Sequence, residues 1–463
     1  MPLLSSKLPA YSGPHPVGLI DIEVPVSEQR LISKPVFKQS GEPAFELQTV
    51  LFSLYYPTAA VLTRSKPRHR WVENTAQQAE GYARLAHINN AVVNCIFHRA
   101  MWALVGSTTI PANVDVPIQE AEASKSDLDL KTTSSQSTDT TSSQFPVIVL
   151  THGTAGGRNS YTQFCGELAS RGFIVATIEH RDGSGPSTEI ARKNSKPRAL
   201  FNFGRSELEP QPEDEEFKTM QRAMRQAEIE ETVRVLKMIQ DGKGEQVFVQ
   251  NSRQEGEGLD QWKGRLDMDR IIIAGHSFGA TTALQVLDDA PSETFPFAGG
   301  VMFDPGKQSG NLSDSTEVPI VVCHSQSWSA RMSIFQGRPH FTVVKDLVQK
   351  VLRCPGRKSP HAAWFLTSKG TTHPSITDAP LIEPFLLSWT TGSTIDAREG
   401  VLQYVKITEE FMRYLTDGQR VGILAEDVTH PTYDEDIRCE ERKKEMSREI
   451  SKYWQVHVAP PTE

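Results

Sequence analysis

Ser277 stands in the run Gly275-His276-Ser277-Phe278-Gly279, and a serine framed by glycines at that spacing suits nucleophilic attack on an acyl carbonyl. A bare hydroxyl is a weak nucleophile at neutral pH. It needs a histidine to take its proton and a carboxylate to orient that histidine. In a G-x-S-x-G elbow those partners follow in chain order, acid before histidine. The candidate acids between Ser277 and the end of the next strands are Asp288, Asp289, Glu293, Asp304, Asp314 and Glu317. Asp304 alone closes a buried apolar strand, Phe297–Phe303; the others fall at a helix end or in polar loops, where a solvated carboxylate is the ordinary state. For the base, His324, His340, His361 and His373 compete. His324 also ends a strand, while His373 follows the last core strand in a Gly-Thr-Thr loop that can carry an imidazole over the elbow. On the residues alone His373 leads and His324 stays open.

Other histidines have quieter readings. His276, inside the elbow, is expected to pack or bond locally, because the elbow turns the neighbours of the serine away from its reactive face. Glu179-His180-Arg181-Asp182 reads as salt-bridge scaffolding at a strand end, and none of these histidines shows a metal-ligand spacing. His152-Gly153-Thr154-Ala155-Gly156-Gly157 also follows a strand. Glycines there leave backbone N–H groups free to point at an anion, as stabilisation of a tetrahedral oxyanion requires.

The elements that must position these groups are legible in the hydrophobic pattern. Ile271-Ile272-Ile273-Ala274 before the elbow is a short β-branched run suited to a strand buried on both faces. Similar runs occur at 145–151, 172–178, 297–303, 318–323 and 362–367, with helical stretches at 160–171, 217–241 and 278–289. That alternation predicts a mostly parallel central sheet covered by helices on both faces. Residues 15–57 predict a leading antiparallel hairpin. Residues 74–106 read as helical, and Ala91–Val105 within them is either packed on the core or an interfacial helix against lipid.

Residues 121–144 collapse into Ser, Thr, Asp and Lys, too polar to repay ordering, and are expected as a disordered insertion. Residues 184–215 read as a polar loop with solvated charge, 400–416 as a helix, and 430–463 as a charged surface helix or tail. The expected organisation is one domain over 10–420 with a charged extension over 421–463.

Bulk properties narrow the class. The chain has 463 residues, 38% hydrophobic and 23% charged, enough for a large core, and a net charge of −8 that argues against nucleic acid as the main partner. Its five cysteines, at 95, 165, 323, 354 and 439, form no C-x-x-C pair, so neither a disulfide framework nor a zinc ribbon is indicated and a reducing compartment is expected. The amino-terminal residues lack the apolar core of a signal peptide and no run reaches membrane-spanning length, so a cytoplasmic location is expected.

Taken in order, several pieces resemble the platelet-activating factor acetylhydrolase family of the plasma and intracellular type II kind. They are Gly13-Pro-His-Pro-Val-Gly18, Leu54-Tyr-Tyr-Pro57, Thr109-Ile-Pro-Ala-Asn113, His152-Gly153, Leu168–Val175 with Glu179–Asp182, and Asp267–Gly279. The resemblance covers most of residues 10–416. It implies an α/β-hydrolase fold and calcium-independent hydrolysis of a short or oxidised sn-2 acyl ester of a phospholipid, with no metal or organic cofactor. It implies Ser277 as nucleophile, Asp304 as orienting acid, His373 as base, and the backbone N–H groups of Thr154 and Phe278 as the oxyanion hole. It also implies a phospholipid partner and peripheral membrane contact through residues 91–105. Thr154-Ala155-Gly156-Gly157 replaces the family's leucine-glycine after His-Gly, which implies an acyl pocket of different shape. Two alternatives use the same residues: a carboxylesterase or lactonase for small soluble esters, and a non-catalytic hydrolase scaffold that binds a partner. The usual sign of the last is loss of a triad member, and all three are present.

Overall fold

Six stretches of aliphatic residues line up side by side in a computed structural model that describes residues 7–59, 66–120, 144–193, 195–353, 362–383, 392–433, 435–436 and 447–461. In chain order the strands of the main sheet are β1 (Val17–Leu31), β2 (Glu46–Pro57), β3 (Asn113–Val114), β4 (Phe145–Thr151), β5 (Ile174–Ile178), β6 (Leu266–His276), β7 (Gly299–Phe303), β8 (Ile320–Ser325), β9 (Ala363–Ser368) and β10 (Trp454–Val458). Their spatial order is β10-β9-β8-β7-β6-β4-β5-β2-β1-β3. The block from β9 to β5 is parallel. The expected leading hairpin is β1 with β2, and β2 runs antiparallel to β5.

Strand residues of the parallel block alternate between two cores. Val149, Ile271 and Ile273 face one, packed by Ile229, Val233 and Leu236 of helix α4 (Asp214–Gln240), Ala280, Ala283 and Leu284 of α5 (Phe278–Val286), and Val344 and Val348 of α7 (His340–Arg353). Ile148, Ile272 and Ala274 face the other, packed by Phe164 and Leu168 of α3 (Thr162–Ala169) and Val401 and Val405 of α8 (Ala397–Asp417). Each fully buried aliphatic side chain contributes about 1.5–3 kcal/mol. The parallel strands are thereby sealed on both faces, which leaves only their ends free for chemistry.

The structure departs from the sequence expectation in several places. The helical stretch 74–106 is two helices, α1 (Thr75–Leu85) and α2 (Ala91–Val105), broken where the Asn90 side chain caps α2 by accepting from the N–H groups of Val92 and Val93, both at 3.1 Å. Residues 184–215 are not only loop: Ser187–Ile190 pairs with Arg198–Phe201 in a small antiparallel hairpin. The charged extension expected over 421–463 supplies β10, which pairs antiparallel with β9 and closes one edge of the sheet. Trp454, Val456 and Val458 carry the two-residue period of a strand, but the preceding run of charge masks it. Of the insertion expected over 121–144, residues 121–143 lie outside the described residues. No described helix is long and apolar enough to cross a membrane.

Candidate active site

The elbow joins β6 to α5 through backbone that only glycine neighbours permit. A side chain on Gly279 would place its Cβ 2.1 Å from the Thr151 carbonyl oxygen, and one on Gly275 would lie 2.5 Å from the Gly279 carbonyl carbon. Strand and helix therefore touch backbone to backbone. Ser277 at the vertex adopts φ 56° and ψ −118°, a conformation costly for a non-glycine residue that concentrates at functional sites. Its N–H donates to Phe303 O at 3.0 Å, and its hydroxyl has no hydrogen bond among the described residues.

Asp304 follows β7 directly, also at positive φ, 48°. Both of its carboxylate oxygens are engaged. Oδ1 accepts from the Ser325 N–H at 2.6 Å, and Oδ2 accepts from Ser325 Oγ at 2.7 Å and from His373 Nδ1 at 2.9 Å. Fixing Nδ1 on the carboxylate sets the tautomer in which Nε2 is free to accept a proton. The imidazole is held from further sides. Its backbone N–H donates to Ser327 Oγ at 3.2 Å, and its ring stacks on Trp328 with centroids 4.0 Å apart and planes 11° apart. His276 packs against it with centroids 4.5 Å apart.

Ser325, Ser327 and Trp328 belong to the end of β8 and to helix α6 (Gln326–Ala330), so one short segment grips both the acid and the base. The sequence reading did not find these residues. Their only signal is position, directly after a core strand at the carboxyl edge of the sheet. Lys307 Nζ lies 4.1 Å from the Trp328 ring centroid and donates to Trp328 O at 3.1 Å. Burial lowers its pKa to about 8 against the opposing pull of Asp304.

The competing histidines are occupied elsewhere. His276 Nδ1 pairs with the Tyr161 hydroxyl at 2.8 Å, and burial, with His373 adding to it, holds its pKa well below the usual value. His324 pairs with Ser329 Oγ at 3.2 Å and stacks on His340; burial keeps both neutral, with His340 at about 3. His361 lies outside the described residues. The ligand atoms of His276, Asp304 and His373 fall within 4.8 Å of one another. The Asp304 oxygens are already committed to hydrogen bonds, an arrangement that orients an imidazole.

The loop after β4 is pressed against the nucleophile: a side chain on Gly153 would place its Cβ 2.8 Å from Ser277 Cβ. The Gly153 N–H donates to the Tyr161 hydroxyl at 3.1 Å and the Ala155 N–H to Ser184 O at 2.9 Å. Between them, the N–H of Thr154 carries no hydrogen bond among the described residues. Phe278 opens α5, where a first-turn N–H has no intrahelical acceptor and the helix dipole favours negative charge. Two uncommitted N–H groups thus flank Ser277.

Glu179 to Asp182 form a buried scaffold beneath this loop. Glu179 accepts from the Arg158 N–H at 2.8 Å, Arg181 bonds Glu23 and Thr49, and Asp182 bonds Arg225 and Ser184. His180 bridges Thr151 Oγ1 and Glu228 Oε2, each at 2.6 Å. That chain mimics a hydroxyl-imidazole-carboxylate relay, but Thr151 is fully buried and no substrate reaches it. Burial, reinforced by Asp182, pushes the Glu228 carboxyl up to about 8.

A cavity of about 670 Å³ opens beyond Gly156 and Gly157, walled by Trp71, Phe97, Met101 and Leu104 and floored by Arg158. The inner face of α2 lines it. The outer face presents Val92, Ile96 and Trp102 to solvent, 68%, 59% and 49% exposed, next to Ile88 at 44%.

Comparison with known proteins gives a family, relatives and a fold. The family described as platelet-activating factor acetylhydrolase, isoform II, matches residues 3–420. A platelet-activating factor acetylhydrolase of Gallus gallus is 24% identical over 392 residues, covering 77% of this chain and 80% of that protein. One from Cavia porcellus is 26% identical over 306 residues, covering 65% of this chain and 56% of that protein. Among solved structures, a ferulic acid esterase from Streptomyces cinnamoneus superposes with a TM-score of 0.54 at 14% identity, over 91% of this chain and 96% of that one. The last likeness establishes the α/β-hydrolase fold.

Proposed function

Because the chain belongs to the platelet-activating factor acetylhydrolase isoform II family, we propose that it is a serine hydrolase that removes a short or oxidised sn-2 acyl group from phospholipids without calcium. His373 Nε2 takes the Ser277 proton as Oγ attacks the ester carbonyl carbon. The carbonyl oxygen becomes an oxyanion received by the N–H groups of Thr154 and Phe278. The tetrahedral intermediate collapses, the lysophospholipid leaves with the proton from His373, and an acyl-serine remains. Water gives a proton to His373 and its oxygen to the acyl carbon; the second collapse releases the fatty acid and returns the proton to Ser277. Asp304 holds the imidazole tautomer and stabilises the imidazolium.

The observation that carries this reading is the 2.9 Å contact of His373 Nδ1 with Asp304, beside a serine in elbow geometry. The cavity beyond Gly157 is suited to the apolar part of the substrate. The exposed face of α2 is suited to a membrane surface, where a bulky apolar stripe is buried instead of wetted. The unpaired state of Cys95, Cys165 and Cys323 fits a reducing, cytoplasmic setting.

The test compares hydrolysis of a phospholipid bearing an sn-2 acetyl group with a long-chain analogue, in chelator, by wild type and Ser277→Ala. Cleavage of the acetyl ester alone, lost in the variant, is expected. Turnover of small soluble esters without either lipid would replace the phospholipid by a general ester substrate, and no Ser277-dependent hydrolysis of any ester would leave a binding scaffold.

A further inference from the structure

Arg225, from the middle of α4, touches both sides of the proposed oxyanion pocket. Its side chain is wholly buried. Nη1 donates to the His152 carbonyl at 2.6 Å, Nε to Asp182 Oδ2 at 2.6 Å, and Nη2 to Ser184 Oγ at 2.7 Å. The guanidinium carbon sits 4.2 Å from the centroid of the Phe278 ring, within cation–π range.

These contacts converge on the two N–H groups that flank Ser277. His152 is two residues before Thr154, and its carbonyl is tied to Nη1. Ser184, tied to Nη2, accepts the Ala155 N–H through its own carbonyl at 2.9 Å and is braced by its hydroxyl on Asp182 Oδ1 at 2.6 Å. The 152–153 peptide, one removed from the N–H of Thr154, and the 154–155 peptide that follows Thr154 are thus both anchored to one guanidinium, directly or through Ser184. On the other arm, the same guanidinium lies against the ring of Phe278, whose backbone supplies the second N–H. The arms also meet directly, since a side chain on Gly279 would reach within 2.8 Å of the His152 carbonyl.

A planar fork with fixed donor directions suits such a task, because it fixes several acceptors in one plane at once; a lysine supplies a point charge without that geometry. We infer that Arg225 is a positioning residue for the oxyanion hole, setting the separation and aim of the Thr154 and Phe278 N–H groups through His152, Ser184 and the Phe278 ring. The inference rests on the reading that those two N–H groups receive the oxyanion.

The test uses Arg225→Lys and the double variant Arg225→Met/Asp182→Asn, the second removing both charges so that no carboxylate is stranded. A soluble acetate ester is the substrate, a trifluoromethyl ketone that forms a tetrahedral adduct on Ser277 is the probe, and Ser277→Ala runs in parallel. Losing one oxyanion donor costs about a hundred- to a thousandfold, and misaiming the pair is expected to cost about ten- to a hundredfold in kcat. KM should stay within about twofold, and affinity for the ketone should fall by the same factor as kcat. A tie that merely stabilises the fold would lower the melting temperature and leave kcat and ketone affinity at wild-type values in the folded variant. That result overturns the inference and leaves the proposed reaction intact. Ester hydrolysis surviving in Ser277→Ala overturns the reaction and the inference with it. If both Arg225 variants fail to fold, Ser184→Ala decides on the same two readouts.

Discussion

At the scale of single residues, the site is built so that one carboxylate does two jobs. Asp304 accepts from Ser325 through both oxygens and from His373 through one. Asp304→Asn keeps the shape but presents an amide N–H to Nδ1, or breaks the Ser325 contacts if it turns. The first disfavours the tautomer in which Nε2 is a base, and the second sets an amide N–H against the Ser325 N–H and so loses the hold on the imidazole. The expected cost is about ten-thousandfold in kcat with the fold intact, read by ester hydrolysis alongside circular dichroism. Trp328 acts by a different route. Its face-on stack, 4.0 Å from the His373 ring, restricts the rotation of the imidazole. Trp328→Ala should lower kcat about tenfold, because small misplacements of a catalytic group cost that much or more. Trp328→Phe, which keeps an aromatic plane, should recover most of it. Equal kcat in the alanine and phenylalanine variants would show that the stack positions nothing.

At the scale of elements, helix α2 is unusual in being apolar on two faces, with Phe97, Met101 and Leu104 toward the cavity and Val92, Ile96 and Trp102 toward solvent. Val92 and Ile96 of the outer stripe are largely exposed, so their burial free energy is available to a lipid surface. Burying an isoleucine is worth about 1.5–3 kcal/mol. Ile96→Glu should therefore weaken partition onto zwitterionic vesicles about tenfold or more, with hydrolysis falling further on vesicle-borne than on monomeric substrate; unchanged partition would assign the stripe no role at a membrane. This helix was legible in sequence as an element, and so were β4 to β9, because isoleucine and valine runs bounded by glycine are a local signal. Asp304 was legible for the same reason, as the one acid closing such a run. His373 was preferred over His324 on residues alone, and only the contact across the sheet edge separates them geometrically. The α6 clamp, the Arg225 fork and the pairing of β10 with β9 were not legible. Each depends on partners tens to hundreds of residues away, and β10 sits behind a run of charge that hides its two-residue period.

At the scale of the whole molecule, the chain buries titratable groups of opposite tendency. Burial lowers His152, His340 and His457 to about 3 and holds His180, His276 and His324 well below the usual value. These folded-state values lie under that of an unfolded histidine, about 6.5, so the folded state binds fewer protons than the unfolded one below that pH. The stability they contribute is present above about pH 6.5 and is lost as pH falls. Burial acts the other way on carboxyls, raising Glu228 to about 8 and Glu410 to about 7. Their stability contribution is complete below the unfolded carboxylate value, about 4.3, and is lost as pH rises through the folded values. His69, raised by its bond to Glu255 against the effect of burial, adds to the same alkaline loss. Above about pH 7.5 the six depressed histidines are almost wholly neutral in both states, so the raised groups set the slope and stability should decline from there to about pH 9. Glu228→Gln stays neutral throughout. One proton of difference between the states is worth about 1.4 kcal/mol per pH unit, so the variant should show a visibly shallower fall in melting temperature from about pH 7.5 to 9. Scanning calorimetry of both proteins checks this, and parallel slopes would place the Glu228 proton elsewhere. The consequence reaches the active site, because Glu228 holds His180 and the Arg181 N–H, next to the Asp182 carboxylate that pairs with Arg225. Ionising Glu228 therefore adds a second carboxylate charge near Asp182 within the scaffold on which the Thr154 loop rests.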